Sequence, residues 1–405
     1  MPYQRALTIV APVRAGARGE LESLLETMGN GVANGSVLDF GALSGVHFAR
    51  LAVVAEDQGL PAHLILLSDI DVSVAKHLGE LAQQEGIDRI FGHCEGYDGD
   101  RLGYLRRHSV KEAATYVNTT GRTASQIKQE AKLRDAIGDF LDAGDWKDSD
   151  PADVRRAVRE HVQSDPELAW ALEPAERPGR LARLREKLHL VVVPLVLLPF
   201  VPLLLLALPV FLVVLWLHER RDAAPHVRAS QERVLALAAL EDHVVQNPFM
   251  AVGRVKPGRF RSSLLTLILF GLDFTTRHVF NRGVLSGVKT IHFARWVFLD
   301  GKRRMFFASN YDGSMESYMD DFIDKVAWGL NLVFSNGVGY PRTRWLAFGG
   351  ARDEVAFKDY LRVHQVPVRV WYSAYSDLTA LNIAQNERLR AGLRDGDALK
   401  WVQAL

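Results

Sequence analysis

Apolar positions along the first third of the chain change their period element by element. Ala6–Val13 is an apolar run rich in β-formers, and Glu20–Met28 sets Leu21, Leu24, Leu25 and Met28 on one helical face. Val46–Ala55 and His63–Ser68 read as two strands, with Glu56–Pro61 as the turn between them. Val72–Gln84 reads as a second helix and Ala114–Asn118 as a short last strand. The predicted order is β-α-β-β-α-β. The final third of the chain gives it again, as Met250–Val255, Arg259–Gly271, Ile291–Leu299, Arg303–Ser309, Ser314–Val326 and Val366–Trp371. Asp300-Gly301 is a strong hairpin-turn signal between the two middle strands of that second set.

The letters repeat along with the pattern. His47-Phe48-Ala49-Arg50-Leu51 returns as His292-Phe293-Ala294-Arg295-Trp296. Gly41-Ala42-Leu43-Ser44-Gly45 stands before the first copy and Gly283-Val284-Leu285-Ser286-Gly287 before the second. Val13-Arg14-Ala15-Gly16 answers to Val255-Lys256-Pro257-Gly258, Leu67–Asp71 to Ala308–Asp312, and Gly96-Tyr97 to Gly339-Tyr340. The offset is 242 up to Gly45 and 245 at His47–Leu51, after a three-residue insertion, and stays within a few residues of these values further on. Matches in one order at a nearly constant offset predict a duplication. The expected fold class is α+β, with two tandem ferredoxin-like (βαββαβ) repeats. One face of each sheet carries the helices and the bare face has to be covered. The duplication allows the two sheets to pair face to face within one chain. The expected domains are residues 1–145, a helical insertion 146–246, and residues 247–405.

The insertion has three parts. Asp148–Lys187 is charged and helical in pattern, Leu188–Leu217 is thirty residues without a charge, and His218–Gln246 is charged and helical again. The apolar run exceeds the ~20 residues needed to span a bilayer as a helix. Both flanks are basic, with Arg180, Arg183, Arg185 and Lys187 before and Arg220, Arg221 and Arg228 after, which marks both ends as cytoplasmic. Pro194, Pro199, Pro202 and Pro209 disfavour a straight helix. The reading is an integral monotopic hairpin at the cytoplasmic membrane face, with a single span as the alternative. Oligomer contacts or headgroup water would satisfy the carbonyls at its turn. Leu264–Leu272 is apolar nearly all round, which suits either a subunit interface or lipid.

Composition changes this picture little. Of 405 residues, 48% are apolar and 24% charged, and a net charge of +1 lacks the basic excess that nucleic acid requires. The lone cysteine, Cys94, rules out a disulfide within the chain and fits a reducing compartment. Met1–Arg14 has no apolar core of a signal peptide. Gly29-Asn30-Gly31 follows a helix and is no Rossmann turn, and His93-Cys94 has no second cysteine at metal spacing. There is no Walker loop, His-Glu-x-x-His or Gly-x-Ser-x-Gly.

Candidate chemistry gathers in the second copy. His292 and Arg295 share a strand, on opposite faces if it is regular. His292 suits either a hydrogen-bonded core position or a ligand or acid–base role. A guanidinium on a central strand needs a carboxylate or an anionic ligand. Ser309–Ser314, with Asn310 and Asp312, lies at a strand-to-helix junction, where Asp312 or Ser314 is also suited to cap the helix. Asn336–Trp345 is a glycine- and arginine-rich loop holding Tyr340, Arg342 and Arg344, and its arginines suit propionates or lipid phosphates as well as solvent.

Two such copies, with His, Arg and Asp gathered in the second, resemble the dimeric α+β-barrel superfamily, whose haem members include dye-decolorizing peroxidases and chlorite dismutases. The resemblance covers Leu7–Asp142 and Phe249–Leu393 by topology. Asn310-Tyr311-Asp312-Gly313 keeps the Asp-Gly of the peroxidases' Gly-x-x-Asp-Gly loop, with Ser309 where the first glycine stands. The resemblance implies a pseudo-dimeric α+β barrel and a membrane-associated haem protein of peroxidase type. An apolar or lipid-derived substrate would reach it from the bilayer. His292 would be the axial ligand, Asp312 and Arg295 would assist peroxide cleavage, and Asn310, Tyr340, Arg342 and Arg344 would hold the cofactor. The alternatives are a non-catalytic lipid-binding or scaffold protein and a cofactor-free monooxygenase or isomerase. A Soret band in the purified protein separates the first reading from the last.

Overall fold

The structure is a computed structural model and describes residues 4–29, 37–174, 178–223, 226–242, 244–280, 283, 285–394, 396–403 and 405. Most of the glycine-rich stretch after Gly29 lies outside the described residues, as does Val284. In chain order β1 (Arg5–Pro12) leads through α1 (Arg18–Gly29) to β2 (Val46–Val54) and β3 (His63–Ile70). Then come α2 (Val74–Gln83), α3 (Gly86–Phe91), α4 (Arg101–Arg107), β4 (Ser109–Val110), β5 (Ala114–Val117), α5 (Ala124–Asp142) and α6 (Pro151–Ser164). The apolar run lies in α7 (Arg180–Leu197) and α8 (Val201–Arg221), followed by α9 (Gln231–Ala238). The last part holds β6 (Gln246–Arg254), α10 (Arg259–His278), β7 (Ile291–Leu299), β8 (Arg304–Asp312) and α11 (Met315–Phe334). It closes with β9 (Thr343–Arg344), β10 (Phe348–Gly349), α12 (Glu354–His364), β11 (Val370–Ser373), α13 (Ala380–Arg394) and α14 (Ala398–Val402).

The protein is α+β with antiparallel sheets. Sheet one is ordered β11-β2-β3-β1-β4 and sheet two β5-β7-β8-β6, so β2-β3-β1 and β7-β8-β6 share one connection pattern. Two short strands leave their own half. β5 pairs with β7 of the later half, and β11 pairs with β2 of the earlier one. Strand periodicity located these segments but not their partners. β2 and β7 each offer an open edge of unpaired N–H and C=O groups, and the crossing strands cover both. Beside β1 the place expected for Ala114–Asn118 goes instead to Ser109–Val110.

Alternation along the strands sorts the core. Val46, Ala49 and Leu51 of β2 pack toward α1 and α2, and Ala294 and Trp296 of β7 toward α10 and α11. The other faces meet each other. Ala52, Val54, Ile65 and Leu67 of sheet one pack with Met250, Val297, Leu299, Phe306 and Ala308 of sheet two. Truncating a filled position such as Phe306 to alanine is expected to cost about 3–5 kcal/mol.

Arg180–Arg221 is one helical stretch long and apolar enough to cross a membrane. A single 3₁₀ turn, Leu198–Phe200, separates α7 from α8 between prolines that lack backbone donors. The apolar residues of α10 divide. Leu264, Leu265 and Leu269 are buried, while Leu267 and Phe270 are exposed. Leu264 packs on Leu215 of α8, so part of its apolar girth is covered by the chain's own insertion. Among the described residues, the charged stretch after the apolar run is helical over His218–Arg221, where α8 ends, and over α9.

Candidate functional site

The two His-Phe-Ala-Arg motifs meet where the sheets face each other. A β-bulge interrupts pairing between Val46 and Phe48, and another between Ile291 and Phe293. An extra residue reverses the alternation that follows. His292 and Arg295 therefore both point to the opposite sheet, not to opposite faces as regular alternation predicts. The Phe48 ring lies 5.4 Å from the His292 ring and 5.6 Å from that of Phe293, and His47 lies 5.3 Å from Phe293.

Both arginines cross between the sheets. Arg295 donates to the carbonyls of Leu7 (2.8 Å) and Ser68 (3.1 Å) and forms an ion pair with Asp69. Arg50 donates to the carbonyls of Phe249 and Ser309, each at 2.8 Å, and to Asn310 Oδ1. Asn310 also accepts from Trp371 Nε1 (3.0 Å) and donates to Asp69 Oδ2 (3.3 Å). Two guanidiniums thus face one carboxylate in a buried layer. Burial pushes Arg50 down to about 9; Asp69 opposes the shift and Arg295 adds to it. The copy-one residues Arg50 and Asp69 were not singled out from sequence, although the motif around Arg50 carries the same signal as the one around Arg295.

The histidines are tied in a matching way. His292 Nε2 lies 2.6 Å from Asp312 Oδ1, and His47 Nε2 lies 3.3 Å from Asp71 Oδ2. His47 Nδ1 is also 2.8 Å from the Tyr375 hydroxyl. Each carboxylate caps a distant helix. Asp312 Oδ2 accepts from Ala380 N at the start of α13 (2.8 Å), and Asp71 Oδ2 from Ala124 N at the start of α5 (2.7 Å). The helix that follows Asp312 directly is capped by Ser314 Oγ, which accepts from Ser317 N. Asp312 is therefore a cap, but for α13, an element far along the chain.

These positions do not fit a haem. An axial histidine needs a free ring nitrogen aimed at a cleft as wide as a porphyrin. His292 is 1% exposed, directs Nε2 at Asp312 and has the Phe48 ring against it. Arg295 and Asn310 are committed to the opposite sheet. Tyr340 lies on the other side of sheet two, in the core shared with α11 and α12, where its hydroxyl donates to Asn331 Oδ1 (2.8 Å). Arg342 is exposed at the rim of a surface cleft with His226 and His364, and the Arg344 guanidinium lies 5.7 Å over the Phe348 ring. Of the seven nominated residues, the inter-sheet layer brings together His292, Arg295, Asn310 and Asp312 only.

A different place has the form of a binding site. A cavity of about 480 Å³ opens where α7 leaves the body, between Ala182, Arg185 and Glu186 of α7 and Arg277 and His278 of α10. It reaches inward past Arg5, Glu112 and Tyr116 to Asp69 and Phe293. Its acids are engaged. Asp69 pairs with Arg295, Glu112 accepts from the Thr8 hydroxyl (2.7 Å), and Glu186 lies 3.7 Å from Arg277. Arg5 and Arg185 have no ion-pair partner among the described residues. The cavity lies within the usual range for small-molecule sites and presents two uncommitted cations. Its residues come from six separated segments, so no local motif announces it. No known protein family, characterised protein or solved structure matches this chain.

Proposed function

We propose that this chain is a monotopic membrane protein that binds a lipid-derived anionic amphiphile at the root of α7. In this reading its body is a pseudo-dimeric α+β barrel of two fused ferredoxin-like units, acting as a binding module without a catalytic centre. The fused-unit reading draws support from the shared β2-β3-β1 and β7-β8-β6 orders, the exchanged strands β5 and β11, and the two bulges at matching positions.

One observation carries the membrane reading: an apolar arm that leaves the body and rejoins it. Large apolar side chains from Leu188 to Leu208 are exposed, reaching 78% at Leu206. The arm is tied at both ends to α10. His189 of α7 is 2.8 Å from His278, and the His218 ring of α8 stacks 4.6 Å from Phe260. At an α-helix's rise, the two attachment points on α10 are ~27 Å apart, whereas a straight helix would separate His189 and His218 by ~44 Å. A bend at the proline-containing turn Leu198–Phe200 would reconcile the two spacings, and on that ground the hairpin is preferred here to a single span. Its shorter limb, Leu188 to Leu198, is ~15 Å long, about one leaflet of a hydrocarbon core.

The cavity sits where that limb enters the bilayer. A headgroup there would meet Arg5 and Arg185 while its chain ran along α7 among lipid tails. The residues that the peroxidase reading needs at one site are divided, with His292, Arg295, Asn310 and Asp312 in the inter-sheet layer and Tyr340, Arg342 and Arg344 outside it. The test is native mass spectrometry of the detergent-solubilised chain after incubation with phosphatidylglycerol. Wild type should carry an adduct that weakens at least tenfold in Arg5→Glu/Arg185→Glu, with fold unchanged by circular dichroism. An adduct of equal occupancy in both would overturn the cavity assignment.

A further inference from the structure

The second limb of the arm has an unusual root. Glu219, near the end of α8, is buried, yet it forms no ion pair among the described residues. Its carboxylate instead accepts from the backbone N–H of Trp345 (2.8 Å) and Leu346 (3.0 Å) and from the Thr343 hydroxyl (3.0 Å). These belong to the turn between β9 and β10. Trp345 and Leu346 have φ of 58° and 56°, a left-handed pair that non-glycine residues rarely adopt. Such strain persists only where surrounding contacts impose it. Here Glu219 supplies the acceptors, and Leu346 is driven into the cluster with Leu215 and Leu264.

The outcome of that strain is a display. With Leu346 turned in, Trp345 and Phe348 are turned out, 39% and 51% exposed, beside an exposed Arg344. On the adjoining turn of α8, Trp216 is 40% exposed with the Arg220 guanidinium 4.6 Å from its ring. Arg344 lies over Phe348 in the same way. Exposed aromatics paired with arginines, at the end of an apolar helix, have the composition of a membrane–water boundary, where amphipathic rings sit at headgroup level and cations meet anionic lipid.

We infer that the β9–β10 turn is an interfacial foot. It seats the body on an anionic leaflet at the level of Trp216 and so sets the depth to which the arm sinks. The occupant is the leaflet surface, because the patch is continuous with the apolar arm through Glu219 and Leu215 and carries positive charge. This rests on the monotopic reading above and adds a second contact to it.

The test places a bimane probe at one of three positions in a Cys94→Ala background, with the full chain in vesicles of phosphatidylcholine and phosphatidylglycerol. The positions are Phe348→Cys in the foot, Leu206→Cys in the arm and Leu399→Cys in α14, an exposed site remote in sequence. Nitroxide lipids then quench by depth. Leu206 should respond most to a deep acyl nitroxide, Phe348 to a headgroup or shallow one, and Leu399 to neither. Binding should also lose roughly fivefold of its phosphatidylglycerol preference for each of Arg220→Gln and Arg344→Gln. Quenching at Leu206 with Phe348 as silent as Leu399 would overturn the foot and leave the arm standing. Silence at all three would overturn the membrane reading itself. Deep rather than shallow quenching at Phe348 would also overturn the foot, since the turn would then be buried in the acyl region.

Discussion

Arg295→Met tests whether the buried motif is a clamp between sheets. The substitution keeps an apolar stem of similar length and removes the guanidinium. Arg295 is 2% exposed, so its partners are sealed from water when it goes. Left behind are the Asp69 carboxylate and the carbonyls of Leu7 and Ser68, all in the opposite sheet. Removing one partner of a buried ion pair costs about 3–5 kcal/mol. Each carbonyl that finds no new donor adds ~1–3 kcal/mol. Asn310 Nδ2 remains near Asp69 and Arg50 still attracts it, so the lower part of the range applies, about 4 kcal/mol. Against a typical unfolding free energy of ~5–15 kcal/mol this is a large share. Urea unfolding in detergent micelles, followed by tryptophan fluorescence and far-ultraviolet circular dichroism, reads the loss. Asp69→Leu/Arg295→Met removes both charges and fills the space with apolar atoms. Replacing both members of a buried pair is often neutral, so this double variant should recover most of the loss. Arg50 keeps its carbonyl partners in either variant. A single variant within ~0.5 kcal/mol of wild type would refute the clamp, that being the range of ordinary surface changes. A double variant no better than the single one would refute the electrostatic account of it.

Burial holds His77 down to about 4 from its ordinary 6.5, so the folded protein carries it neutral while the unfolded chain takes up the proton first. That contribution is complete above pH ~6.5 and is lost as pH falls toward 4, on the order of 3 kcal/mol; His77→Leu should flatten this limb of the stability–pH curve. Asp312→Asn keeps an acceptor for Ala380 N and should lower stability by ~1 kcal/mol or less, whereas Asp312→Ala should cost ~1–2 kcal/mol by thermal unfolding. Were Asp312 a distal acid–base group, asparagine would instead slow a peroxide reaction roughly 10²–10⁴-fold. The purified chain, supplied with haem, should give no axial-histidine Soret spectrum that His292→Ala alters; a spectrum lost on that substitution would revive the peroxidase reading. Cysteines at Ala182 and Ala223 should react from one side of sealed vesicles, and labelling from opposite sides would exclude the hairpin.

Local pattern was enough for most of the strands and helices read from it and for the apolar run, while α3, α4, α5, α12 and α13 were not among them. Strand and helix period, turn letters such as Asp300-Gly301, and a charge-free run are all properties of neighbouring residues, and the observed bounds of β2, β3 and β7 follow them closely. The repeated His-Phe-Ala-Arg was equally legible as a repeat. Its meaning was not, because an arginine's partner is whichever group the fold brings within reach. Asp69 and the Leu7 carbonyl are more than two hundred residues from Arg295, and Ala380 N is 68 from Asp312. One bulged residue at Ile291–Phe293 turns His292 and Arg295 to the same side, and nothing in the letters of that strand marks a bulge. The exchange of β5 and β11 is decided the same way: both read as strands, and only the open edges of β2 and β7 select where they pair. The sequence alone thus determined the main strands and helices and a run apolar enough to cross a membrane. The tertiary structure decided which buried charges face each other, since a charge taken out of water is stable only beside the partner that the packing supplies.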